Sequence, residues 1–339
     1  MKKYLFFAVF TAAAFSAFCQ TPSFRPQFSL STNNDMSTDD FYDLQGSLRL
    51  VFTMADDIEL IFRTELDKYE VDVEELSAVY NIDRTNSVKT GKFENPLTLD
   101  DYLGSFVRLF ARTTTVTREV KKQGYVTKSI GLKYEKKDNK SDTWNYFGHL
   151  IYIPSQMEPQ INGGFFYRTG DEKHLTGFIA SYFPFVNHKS WSGDSSYPNL
   201  HNILVSLIYT DYRNSFIYGA ELTVGSNLVN PVGLINYSPD TDFPVFAGID
   251  VHAGIKYYLS PRVTWTPLVR VTALHPEISE IECRDIDIVW GNRFGYGENL
   301  RLNLDLGPGF ITRYDSYGDD GLKTKLEWRW AFSLVIKGD

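Results

Sequence analysis

The chain has 339 residues, with 42 acidic and 34 basic side chains and a formal net charge of -8 at pH 7. This length allows two average domains or one large all-β unit, and a hydrophobic content of 43% excludes wholesale disorder. Two cysteines exclude a disulfide scaffold and a Cys-rich metal fold, and the acidic balance argues against non-specific nucleic-acid binding.

The N-terminus has the pattern of a secretory signal peptide. Lys2 and Lys3 precede an uncharged stretch over 4–19 that is rich in Ala and Phe. We expect residues 1–19 to be removed and residues 20–339 to form the mature chain. A lipidated Cys19 is the competing interpretation. A membrane anchor is weaker, because the apolar stretch is shorter than the ~20 residues of a spanning helix.

Alternation of apolar and polar side chains dominates the rest of the chain. Over 245–259 the odd positions are apolar, whereas the even positions include Asp250, His252 and Lys256. The stretches 43–52, 299–306 and 322–336 alternate in the same way. No stretch of similar length shows a convincing helical period. The pattern therefore predicts an all-β chain.

The alternation and the turn residues give seventeen candidate strands, and several are longer than the ~5–6 residues usual in globular proteins. Their lengths suit the ~9–11 tilted residues that cross a bilayer. Bacterial single-chain barrels have an even number of strands, so one candidate is spurious, within 87–93, 24–33 or the 104–136 region. We expect about sixteen strands, with roughly fourteen as the alternative. The candidates are 24–33, 43–54, 57–68, 73–83, 87–93, 104–117, 126–136, 143–153, 159–168, 174–185, 201–211, 215–226, 244–259, 262–274, 285–294, 299–313 and 322–336.

Three features favour a transmembrane antiparallel β-barrel over a secreted sandwich. Charged residues occupy strand centres, the strands are long, and aromatic residues such as Tyr257, Trp265 and Tyr296 gather near strand ends. Short turns at 212–214, 260–261 and 295–298 alternate with long polar loops at 186–200 and 227–243. Short turns at one rim and long loops at the other are expected of an outer-membrane barrel.

The signal peptide, the strand spacing and the amphipathic closing strand resemble a Gram-negative-type outer-membrane β-barrel, most like the porins. The stretch from Thr90 to Pro96 resembles the strand end and inward-folding loop that narrows many porins. Pro96 ends strand pairing, so 97–102 is predicted either to fold into the lumen or to form an ordinary surface loop. The chain departs from porins at its end, where Lys337, Gly338 and Asp339 replace a terminal aromatic residue.

Charged residues on the polar faces are the candidate pore lining. Arg108 and Arg112 share one face of candidate strand 104–117, and Arg118 continues that parity. Opposed rows of charge would create a field across a water-filled path, whereas the alternative is that these residues solvate the wall and pair with one another. Arg49, Arg63, Glu59 and Glu65 also lie on polar faces. The predicted pore-lining set is Arg108, Arg112, Asp250, His252, Lys256, Arg270, Arg301, Asp305, Glu327 and Arg329.

No pattern in the sequence points to catalysis or to a cofactor. The six histidines lack the spacing of a metal site, and no Gly-x-Ser-x-Gly, His-Glu-x-x-His or Cys-His arrangement occurs. We therefore expect no enzymatic activity, no catalytic residues, no metal and no cofactor.

The leading functional hypothesis is an outer-membrane channel, monomeric or homotrimeric, that lets small polar solutes diffuse passively across the lipid bilayer. A second hypothesis is a non-conducting, adhesin-like barrel whose loops 186–200 and 227–243 bind a partner. A third is a transporter of hydrophobic solutes, with a short plug formed by 21–40.

Overall fold

The computed structural model describes residues 24–35, 43–66, 71–123, 125, 128–138, 142–152, 159–169, 174–185, 200–226, 245–276, 278, 284–297, 299–314 and 322–337. The expected signal peptide 1–19 and the loop 227–243 lie outside these residues, as does the loop 186–200 apart from Leu200.

Seventeen β elements and two short helices form the described structure. The strands are β1 Phe24–Asp35, β2 Asp43–Ala55, β3 Ile58–Leu66, β4 Val71–Asn81, β5 Asn86–Glu94, β6 Lys128–Lys136, β7 Thr143–Tyr152, β8 Pro159–Arg168, β9 His174–Phe185, β10 Leu200–Asp211, β11 Phe216–Ser226, β12 Val245–Ile255, β13 Tyr257–Tyr258, β14 Val263–His275, β15 Arg284–Tyr296, β16 Leu300–Tyr314 and β17 Leu322–Lys337. The helices are α1 Leu99–Val107 and α2 Thr115–Lys122.

The strands form one antiparallel sheet of sixteen strands, because β12 and β13 are two parts of one strand that both pair with β14. Each strand pairs with its neighbours in sequence. β1 also pairs with β17, so that Gln27 lies opposite Arg49 on one side and Lys337 on the other. The prediction of about sixteen strands is confirmed.

The outward face of the sheet is apolar and the inward face is polar. On β12 the side chains of Ile249 and Val251 are 44% and 46% exposed, whereas Asp250 and His252 between them are buried. A water-soluble protein buries its large aliphatic side chains, and a transmembrane barrel presents them to lipid. The alternation that predicts a membrane barrel is therefore present in the structure, with its apolar face outward.

An aromatic belt lies along part of the rim that carries the short turns. Trp144 stacks on Phe165 with ring centroids 4.7 Å apart, and Trp265 stacks on Tyr257 at 5.5 Å. These residues lie at the turn-proximal ends of β7, β8, β13 and β14. Amphipathic rings favour the interface between lipid and water, so this belt marks one membrane boundary.

Neither helix of the described residues is long and apolar enough to span a bilayer.

Two predictions about elements are wrong. Candidate strand 104–117 is not a strand, because α1 and the start of α2 occupy that part of the chain. The other two suspected candidates, 24–33 and 87–93, are genuine strands β1 and β5. The proposed N-terminal plug is also wrong, because Phe24–Asp35 forms part of the barrel wall.

Candidate functional site

The candidate site is the inserted segment, the described residues 95–123 and Tyr125 between β5 and β6, which lies against the inner wall. β5 ends at Glu94, and Pro96 follows where the backbone leaves the sheet. Asn95 is buried, and its Oδ1 is hydrogen-bonded to Nδ1 of His149 on β7. Leu97 is fully buried. Of the two alternatives left open for 97–102, the structure has the one in which the segment folds inward and packs against the wall.

Apolar side chains fix the inserted segment to the wall in three clusters. Each fully buried aliphatic or aromatic side chain contributes about 1.5–3 kcal/mol relative to an exposed one. The clusters together cover the wall from β7 to β15 and leave the wall from β2 to β6 free of such packing among the described residues. In the first cluster, the segment residues Leu97, Val116, Val120 and Tyr125 pack against Phe183, Leu204, Phe246 and Leu274 of the wall. In the second, Leu99, Tyr102 and Leu103 pack against Phe147, Phe166, Leu175, Ile179 and Ile208. In the third, Leu109 and Phe110 pack against Tyr212, Ile217, Leu268 and Val289.

Two glycines on the wall allow this close approach. A Cβ atom at Gly248 would lie 2.3 Å from Cγ2 of Val116 on α2. A Cβ atom at Gly291 would lie 2.8 Å from Cε1 of Phe110. Because any larger residue would displace the inserted segment, these glycines set its distance from the wall.

Asp100 connects the two helices. Its Oδ2 accepts a hydrogen bond of 2.7 Å from the backbone N–H of Thr114, which is the N-cap residue of α2. The Thr114 hydroxyl accepts one of 3.0 Å from the N–H of Thr117. An N-cap side chain satisfies one of the free N–H groups at a helix start. α1 and α2 are therefore held together by one buried polar network.

A second polar network joins the segment to β14, β15 and β17. Asp287 accepts hydrogen bonds from Arg112 at 3.1 Å and from Arg329 at 2.8 Å, and it contacts Arg118 at 3.4 Å. Arg270 donates to the carbonyl oxygen of Arg112 at 2.9 Å. Burying several charges is costly unless they are paired, and these groups pair with one another.

The structure brings seven of the predicted pore residues together at this contact between segment and wall. In addition to the contacts above, His252 and Arg270 lie 3.3 and 3.7 Å from the carboxylate of Asp250, and Arg329 pairs with Glu327. All seven are buried, and whether they line a conducting passage remains a prediction. They are Arg112, Asp250, His252, Arg270, Asp305, Glu327 and Arg329.

Three predicted pore residues lie elsewhere. Arg108 donates to the carbonyl oxygen of Asp100 at 2.9 Å, within the inserted segment. Lys256 interrupts the strand between β12 and β13, with its Nζ 4.9 Å from the ring centre of Tyr258. Arg301 donates to the carbonyl oxygen of Gly297 at 2.7 Å, at the short-turn rim. The predicted strand face shared by Arg108, Arg112 and Arg118 does not exist, because all three belong to the inserted segment.

The sequence-based set misses Lys89 and Lys133 on the wall from β2 to β6. These lysines lie directly opposite each other on β5 and β6, and Arg49 and Arg63 do so on β2 and β3. Glu75 pairs with Arg49 at 3.7 Å and also with Lys89. The alternation of Lys133 with the outward Leu132 and Tyr134 is the signal that places it on the polar face.

Burial changes the acidity of two groups in α1. Tyr102 packs against Phe147 and Phe166, and its burial there raises the pKa of its hydroxyl to about 12. Burial also raises the pKa of Asp101, and the nearby Lys121, 3.5 Å away, partly opposes that shift. Among the described residues, no group of three His, Cys, Asp or Glu side chains is placed to hold a metal ion.

Comparison with known proteins gives a fold and no sequence family. No family model and no curated protein matches the chain. Solved structures are similar over 94% of it. An anion-selective porin from Comamonas acidovorans has a TM-score of 0.60 at 9% identity, with 99% of its chain covered. The outer membrane channel DcaP of Acinetobacter baumannii has a TM-score of 0.57 at 8%, with 97% covered. The trimer form of OmpT, an outer membrane protein of Vibrio cholerae, has a TM-score of 0.57 at 11%, with 99% covered. The chain has the fold of outer-membrane β-barrel porins.

Proposed function

We propose that this protein is an outer-membrane channel through which small polar solutes diffuse passively, and that the inserted segment narrows its lumen. One observation carries the proposal: the segment covers the wall from β7 to β15, while the charged wall from β2 to β6 stays partly exposed. A barrel that is filled on one side and polar on the other suits hydrated solutes better than apolar ones.

The compartment and assembly belong to the same proposal. The outward apolar face favours contact with lipid, and the aromatic belt favours the interface between lipid and water. The signal peptide expected over 1–19 would direct export. Solved structures of the same fold are described as outer-membrane proteins, and one is a trimer form, which supports an outer-membrane location and a homotrimer. No catalytic step is part of this function.

Single-channel recording tests the proposal. Residues 20–339 would be refolded in detergent and inserted into a planar lipid bilayer, and discrete current steps are expected. A folded, inserted barrel without current would overturn the channel and favour the partner-binding alternative.

Thiol labelling would then test the role of the inserted segment. In a Cys283→Ser background, Lys121→Cys places a thiol on α2, where the native lysine side chain is 43% exposed. A charged thiol reagent should reduce the current of this variant. Leu132→Cys on the outward face of β6 is the matched control, and its current should not change. Equal effects on both variants would show that the segment does not border the passage.

A further inference from the structure

We propose that the passage prefers anions, because in several of its ion pairs the cation is exposed to the lumen while the carboxylate partner is more deeply buried. This inference rests on the proposed channel function and adds its solute class. The formal net charge of -8 belongs to the whole chain and would suggest the opposite preference. Local charge along the passage, and not total charge, determines which ions enter.

The wall from β2 to β6 shows the first half of this asymmetry. The Glu75 side chain is 7% exposed, whereas its partners Arg49 and Lys89 are 37% and 19% exposed. Glu75 also accepts a hydrogen bond of 3.1 Å from the hydroxyl of Ser77. The carboxylate of Glu75 is thus covered by its own partners, so a solute at this part of the wall meets the positive charges of Arg49 and Lys89.

The inserted segment repeats the arrangement from a different part of the lumen. The Arg118 side chain is 35% exposed and its partner Asp287 only 5%. Lys121 is 43% exposed and its partner Asp101 only 12%. Because α2 packs on β12 and β14, these two cations do not belong to the wall that carries Arg49.

Cross-strand register adds an independent observation. Lys89 lies opposite Lys133, and Arg49 lies opposite Arg63. Like charges directly opposite one another destabilise a sheet, and a mobile anion between them would relieve that repulsion. The Nζ atoms of Lys89 and Lys133 lie 5.3 and 5.5 Å from the ring centres of Phe93 and Phe147. These cation–π contacts stabilise both ammonium groups in their positions on the wall.

Carboxylates that are more exposed lie at the strand ends. Glu94, at 44% against 21% for its partner Arg63, ends β5. Glu135, at 23% against 15% for its partner Lys133, is the penultimate residue of β6. Glu59 is the second residue of β3. The middle of the wall therefore keeps a cationic surface between these acidic ends.

The reversal potential of the inserted channel in a potassium chloride gradient tests the proposal. We expect its sign to show preference for chloride. The double variant Lys89→Gln, Lys133→Gln should lower the chloride-to-potassium permeability ratio by about twofold or more at low ionic strength. The reason is that one fixed charge changes the concentration of ions ~10 Å away by about twofold. Glu75→Gln should raise the ratio.

Lys92→Gln is the matched control. Lys92 is on the same strand, three residues from Lys89, but it lies opposite the outward Leu76 and pairs with Asp72 at 3.8 Å. Its removal should leave the permeability ratio unchanged. Discrete steps with preference for potassium would overturn the inference and leave the channel standing, whereas absence of current would overturn the channel itself. Chloride preference that the double variant does not alter would overturn the assignment to these lysines.

Discussion

The backbone N–H of Arg112 donates a hydrogen bond of 2.8 Å to Oδ2 of Asp305, although the two residues lie 193 positions apart in sequence. On the other side of the same residue, Arg270 donates to the Arg112 carbonyl oxygen at 2.9 Å. Both polar groups of this loop residue are thus bound by the wall. Backbone groups that are buried need partners, so the wall takes the place that water has in a surface loop. The position of the inserted segment follows from these contacts.

Removing Asp287 should loosen the inserted segment. Asp287→Ala leaves the buried guanidinium groups of Arg112 and Arg329 without their shared carboxylate. Breaking a buried pair by removing one partner costs about 3–5 kcal/mol. We expect a loss of that order in the free energy of unfolding in lipid vesicles, and noisier single-channel current. Asp72→Ala, at a residue whose side chain is 70% exposed, should change both by little. Equal effects of the two substitutions would contradict the anchoring role.

Gly248 and Val116 should be energetically coupled. Gly248→Ala forces a Cβ atom against Val116, and such overpacking costs about 1–3 kcal/mol. Val116→Ala removes the opposing methyl groups, so the double variant should recover part of the loss, with a coupling energy of about 0.5–3 kcal/mol. Chemical denaturation of the four proteins measures it. Gly148→Ala, where no atom lies within 4 Å of the added Cβ, is the control. Strictly additive losses would argue against the contact.

A charged substitution on the outward face should show whether that face contacts lipid or water. Val251 is 46% exposed near the middle of β12. Val251→Arg should cost about 2–4 kcal/mol in vesicles if this face contacts the bilayer core. Tyr258→Arg, at the short-turn rim, should cost about 0–1 kcal/mol. A protein exposed to water at both positions would tolerate both substitutions, and that result would exclude the membrane barrel.

The stability of the barrel should fall at high pH, in part through Tyr102. Its pKa is raised to about 12 in the folded protein, and the unfolded side chain has a pKa of about 10. Above pH 10 the unfolded chain therefore binds fewer protons than the folded one, so stability decreases as the pH rises from 10 to 12. Tyr102→Phe should make this decrease less steep in unfolding measurements at fixed pH values. An unchanged slope would mean that burial of this hydroxyl does not matter.

Most of the barrel could be predicted from the sequence, because side chains that alternate between lipid and lumen leave a period of two. Asp250 and His252 alternate with Ile249 and Val251, and the structure separates them accordingly. Pro96 also marked the place where pairing ends. These are local signals, and each is readable without knowing any contact across the barrel.

The inserted segment could not be predicted in the same way. The stretch from Thr113 to Thr117 is rich in β-branched residues, which favour strands, and Arg108 and Arg112 alternate with Leu109 and Ala111 as they would in a strand. The opposing helical signals were short: Val116 and Val120 are four residues apart, and Thr114 caps α2. Tertiary packing decides such cases, because α2 packs on β12 and β14, which begin more than a hundred residues later in the chain. The charge partners of Arg112 are equally remote in sequence.

The pairing of β1 with β17 has a consequence for the order of folding. Gln27 lies opposite Lys337, which is the most distant strand pairing in sequence among the described residues, and we expect it to form last. Contacts of such separation slow folding, and until then one edge of β1 offers unpaired N–H and C=O groups. An edge of this kind pairs readily with another copy of the same chain. Chains that have not yet closed would therefore aggregate through this edge if they met before reaching lipid. The yield of refolded protein should fall as the protein concentration rises.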